Sequence, residues 1–156
     1  MAAACVPRFF LIHELSGGFV AFCYCYFLVP PLSGLRASGP GVAMVVTEQL
    51  NAGVYYRRLS SHAFAAAPFS HGQDTYRFWE AVALGAVPVT LRGPLDGLYS
   101  QVPSVLVDGW RITAADLVAW RQNLTERFGD LDAATRTARR TVLNSTFWAE
   151  QIRAMA

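Results

Sequence analysis

The chain has no block of basic residues and no stripe of cations interleaved with aromatics. Its formal charge is only +2, so it offers a phosphate backbone no electrostatic footprint, and nucleic acid is excluded as a partner. Cysteine is scarce. Cys5, Cys23 and Cys25 are an odd number, and their C-x-C spacing is not a zinc pattern, so they read as unpaired thiols in an apolar segment. Charge is scarce at the start: residues 1–46 hold only Arg8, Glu14 and Arg36, and residues 15–35 hold no charged side chain. A long hydrophobic run is missing too. The densest apolar part, Phe19 to Val29, is 11 residues long, against about 20 for a membrane-spanning helix. Gly17 and Gly18 precede it, and Pro30 and Pro31 end it. That length suits the core of a signal peptide or a buried segment, yet Glu14 stands where a signal prefers positive charge. Residues 1–46 thus fit three readings: a signal or anchor attaching to a membrane through residues 15–35, a buried segment, or a start not native to the domain. Internal repeats are absent, and 156 residues suit one domain with its boundary near residue 46.

From residue 47 onward the chain alternates strand and helix signals. Thr47 is positioned to cap a helix running to about Leu59. His62 to Ala67 reads as a short buried strand, and Asp74 as the cap of a helix ending at Gly85. Val87 to Leu91 is a second strand, in which Pro88 argues for a strand start or an edge position. Leu95 to Tyr99 is a short helical piece, and Ser104 to Val107 a third strand. Thr113 with Asp116 predicts a capped helix to Phe128, and a last helix is predicted from Asp132 to Met155. This alternation predicts an α/β fold, a Rossmann-like parallel sheet flanked by helices. Two sequons, at Asn123 and Asn144, matter only if the chain enters the secretory pathway.

The helix after Asp74 is apolar almost all round, yet it carries Arg77 and Glu80. At about 100° per residue these two fall about 60° apart, on one narrow arc. Burying either charge alone is expensive, so each needs a partner or a ligand. Arg77 is also in the first turn, where the helix dipole disfavours a cation by about 0.3–1 kcal/mol. An anion held at that helix end would reverse the penalty. Glu80, one turn deeper, is placed to accept from ribose hydroxyls. Gly72 lets the preceding loop approach a diphosphate, and His71 is a candidate donor to it. Read purely structurally, Asp74 is a cap, Arg77 and Glu80 form an i,i+3 ion pair, and His71 is a solvated loop residue.

The full run is Pro68-Phe69-Ser70-His71-Gly72-Gln73-Asp74-Thr75-Tyr76-Arg77-Phe78-Trp79-Glu80-Ala81-Val82-Ala83-Leu84-Gly85-Ala86-Val87-Pro88-Val89. It resembles the donor-binding motif of the exostosin-like glycosyltransferases, family 47. The similarity continues through Pro94-Leu95-Asp96, Leu98-Tyr99, Pro103 and Val107-Asp108-Gly109-Trp110, covering roughly residues 47–128. The resemblance implies the C-terminal, donor-binding half of a GT-B enzyme that transfers a sugar from a nucleotide-sugar to a glycan or glycoconjugate acceptor. Arg77 would contact the donor diphosphate with Gly72, His71 and Ser70, Glu80 would take the ribose, and Asp74 would shape the loop. It also implies no bound metal or cofactor, and a Golgi or other secretory-pathway membrane location. Two features depart from the pattern. Ser70 stands where the first motif glycine is expected, and residues 1–46 are too short for an acceptor-side domain. The chain is therefore expected to be a donor-binding fragment, its catalytic base unidentified. The competing expectation is a solitary module that binds a nucleotide or sugar phosphate without catalysis.

Overall fold

The computed structural model describes residues 9–12, 42–46, 50–69 and 73–154. Five short strands form one sheet: β1 (Phe9–Ile12), β2 (Ala43–Val46), β3 (Phe64–Ala66), β4 (Val87–Leu91) and β5 (Val105–Val107). All pair in parallel, in the spatial order β2-β1-β3-β4-β5. The helices are α1 (Ala52–Ser60), α2 (Tyr76–Leu84), α3 (Asp96–Tyr99), α4 (Ala114–Phe128), α5 (Leu131–Val142) and α6 (Ser145–Ala154). The α/β, Rossmann-like parallel sheet with flanking helices is what the chain forms, in one of the two common doubly wound strand orders.

Over β3–β5 both faces of the sheet are covered, which is why these strands read as apolar runs without alternation. On one face Phe64, Ala66, Val87, Val89 and Val105 pack with Trp110, Ile112 and, from α4, Leu117 and Leu124. On the other, Ala65 and Ala86 pack with Tyr55 and Leu59 of α1 and Ala81 of α2. Phe78 and Val82 of α2 continue that layer against Tyr99, Val102, and Ala138 and Val142 of α5. Burial on both faces makes a strand of β3 although alanine is a weak strand former.

Pro88 is at a strand start, as expected, but not at an edge, because β4 lies between β3 and β5. Val87 N–H donates to Ala63 O, and Ala67 N–H donates to Val89 O, so the odd-numbered residues of β4 bond toward β3. Pro88 therefore faces β5, whose pairing begins only at Val105, opposite Val89. Its missing N–H falls just before a donor would be needed.

Three boundaries differ from expectation. The first helix begins after Asn51, whose side chain accepts from Val54 N–H, and Thr47 lies outside the described residues. The last helix is two, because Asn144 Oδ1 accepts from Thr146 N–H at 2.9 Å and caps a fresh start after Leu143. The boundary near residue 46 cuts through one sheet: β1 and β2 precede it, and β1 pairs with β3 beyond it. Eight residues of the charge-poor start are thus strands of the domain. Residues 15–35, the expected signal or anchor, lie outside the described residues. The capping box of Thr113 and Asp116 and the left-handed Gly85, φ 83°, are as predicted.

Candidate functional site

Helices that follow parallel strands return antiparallel to them, so the N-termini of α1 and α2 lie at the carboxyl edge of the sheet. From β1 the chain moves to one side, to β2, and from β3 it moves to the other, to β4. The strand order reverses between β1 and β3, the kind of switch point where open α/β sheets bind ligands. The segment leaving β3 at that point is the one that carries the sequence motif. Its Ser70, His71 and Gly72 lie outside the described residues.

The start of α2 is set by Thr75, whose Oγ1 accepts from Phe78 N–H at 3.4 Å. Asp74 is therefore not the cap. Its Oδ1 accepts instead from Trp79 Nε1 at 2.9 Å and from Tyr99 OH at 3.2 Å, whose one proton is shared with Gln73 O at 3.0 Å. Threonine is a somewhat weaker cap than aspartate, but the indole and the phenol give the carboxylate partners that a bare helix end would not. Burial first, then the Asp74 charge, push the Tyr99 hydroxyl well above the usual tyrosine range, so it stays a donor.

Arg77 and Glu80 come together as the helical wheel predicts. They line a cleft of about 240 Å³ with Tyr76 of α2 and with Ala52, Tyr55 and Tyr56 of α1. Arg77 is only 6 % exposed, and its guanidinium carbon lies 5.2 Å from the centre of the Tyr76 ring. Glu80 is half-buried. Its Oε2 accepts from Tyr55 OH at 2.7 Å and its Oε1 from Tyr56 OH at 3.4 Å. Burial, then the hydrogen bond to Glu80, push the Tyr55 hydroxyl far above the ordinary value, with Arg77 pulling the other way. The cleft thus offers a buried cation, a half-buried carboxylate one turn further along α2, and exposed rings at Tyr56 and Tyr76.

Asp74 faces a different space, a cleft of about 470 Å³ shared with Trp79, Leu98, Val142 and Leu143. The motif's charged residues are therefore divided: Arg77 and Glu80 on one side of α2, Asp74 on the other. Sequence reasoning missed the three tyrosines. Tyr76 lies within the motif, but Tyr55 and Tyr56 belong to another helix, and only the pairing of α1 with α2 brings them to the cleft.

Among the described residues no group of three His, Cys, Asp or Glu side chains is placed to hold a metal ion. No described helix is long and apolar enough to cross a membrane. Asn123 is exposed on α4, and Asn144 is exposed between α5 and α6. No family model matches the sequence, and no curated protein matches it.

Proposed function

We propose that the chain is the nucleotide-sugar-binding domain of an exostosin-like glycosyltransferase, a donor-binding half that presents the donor to a glycan or glycoconjugate acceptor. One observation carries the reading: a buried arginine and a hydrogen-bonded glutamate share a tyrosine-lined cleft between two helix N-termini, at the switch point of a parallel sheet. In this reading the diphosphate lies against Arg77 and the first turn of α2, where the anion cancels the cost of a cation at a helix start. Glu80, one turn deeper, accepts from the ribose. The same cation and dipole would stabilise the nucleoside diphosphate as it leaves, without a resident metal. Membrane attachment and a Golgi or other secretory location belong to the same proposal.

The cleft is better equipped to bind than to move a proton. Among the described residues its one carboxylate is Glu80, which accepts closely from Tyr55 and has only a long contact with Tyr56. That favours, as the second reading, a chain that binds the nucleotide without turnover by itself.

Thermal unfolding against a panel of nucleotide-sugars tests the proposal. One donor should raise the transition of the wild-type chain, by about 2.7 kcal/mol at a hundred times its dissociation constant. Arg77→Ala and Glu80→Ala should remove most of that rise. A cooperative transition that no donor moves, or equal rises in the variants, would refute the reading.

A further inference from the structure

The two oxygens of Glu80 are held unequally. Oε2 accepts at 2.7 Å from the hydroxyl of Tyr55, a residue 8 % exposed. Oε1 meets the hydroxyl of Tyr56 at 3.4 Å, on a ring 42 % exposed. The first distance is at the optimum for O–H···O, and the second lies beyond the usual range of about 2.5–3.0 Å. We infer that Tyr55 is a positioning residue that fixes the Glu80 carboxylate with Oε1 free to serve the ligand, so that preference for a vicinal diol is set from α1. The inference rests on the nucleotide reading of the cleft.

The physical case is one of preorganisation. A glutamate has three side-chain torsions, and the last is broad, so a carboxylate without a partner must be ordered when the ligand binds. Tyr55 removes that cost beforehand. Because it is buried beside Glu80, its hydroxyl remains protonated and can act only as a donor toward the carboxylate. Tyr56 is the group the ligand hydroxyl replaces: its contact is long, and its ring reaches solvent. The Tyr55 hydroxyl is taken up by Oε2, so its effect on the ligand hydroxyls runs through Glu80.

Calorimetry on the full chain tests this with uridine and guanosine diphosphates, each paired with its 2′,3′-dideoxy counterpart. The wild-type chain should prefer one ribose form. In Tyr55→Phe the ribose form should bind about three- to tenfold more weakly while the dideoxy form is unchanged. A purely packing role would weaken both forms alike, which separates the two. Tyr56→Phe should keep the preference. Glu80→Gln leaves Tyr55 in place and guards against a folding defect in Tyr55→Phe. It removes the charge and turns one acceptor oxygen into an NH2 donor, so the hydrogen bonds from the ligand hydroxyls weaken and the preference should fall there as well. A preference that survives Tyr55→Phe or Glu80→Gln overturns the inference alone. A wild-type chain that binds neither ribose form overturns the nucleotide reading, and the inference with it.

Discussion

Asp74 Oδ1 draws an indole N–H from α2 and a phenol from α3 onto one atom. Phe78 stacks on the Tyr99 ring at 3.9 Å between centroids, and Trp79 meets Phe78 edge-on at 4.9 Å. The carboxylate therefore fixes the polar ends of an aromatic group whose bodies lie beneath the start of α2. Asp74→Ala should lower stability by about 1–2 kcal/mol, the range for hydrogen bonds to a charged group discounted for an exposed site. Asp74→Asn keeps an acceptor oxygen in the same place and should recover about half of that. Urea unfolding midpoints of the two variants check the order, and equal losses would argue that charge, not geometry, is what the loop uses. At this scale the sequence was half legible. The shared arc of Arg77 and Glu80 followed from helical spacing alone. The role of Asp74 did not, because a second capping residue, Thr75, stood one place further on, and the partner that claims Asp74 is 25 residues away.

Elements whose signals are local were readable, and elements decided by competition were not. Thr113 and Asp116 announce the start of α4 within three residues, and the capping box forms as written. Val87–Leu91 is also where the apolar run places it. The break between α5 and α6 is different. The segment 132–155 has helical composition throughout, and its interruption depends on whether the Asn144 side chain or the continuing helix satisfies Thr146 N–H. The side chain wins, since Val142 is already buried against α2 and the chain must turn for Phe147 to pack on the same cluster. Asn144→Ala removes the cap without touching the core. It should cost about 1 kcal/mol, visible as a lower thermal midpoint. An unchanged midpoint would mean that α6 is held by packing alone.

Across the whole molecule, the parallel sheet was legible from β3 onward because strand and helix signals alternate there. β1 and β2 were hidden by composition: four-residue apolar strands in a charge-poor start look like targeting sequence until their pairing with β3 is seen. Two buried phenols then tie the layers on one side of the sheet. Tyr55 joins α1 to Glu80 of α2, and Tyr99 joins α3 to the end of the motif loop. Both hydroxyls are pushed above the ordinary tyrosine value of 10.0 by burial, then by the neighbouring carboxylate. An unfolded tyrosine releases its proton near that ordinary value while the folded one still holds it. The stabilisation is therefore complete below about pH 10 and is lost as pH rises from there toward the folded values. The chain contains no lysine, so no side-chain ammonium titrates in that window and the arginine charges persist through it. Urea midpoints should stay level from about pH 9 to 10 and fall steeply above it. Tyr55→Phe should start lower and fall less steeply, because one of the two linked protons is gone. Parallel curves for the two proteins would mean that Tyr55 titrates alike in the folded and unfolded chain, and that burial beside Glu80 does not hold its proton.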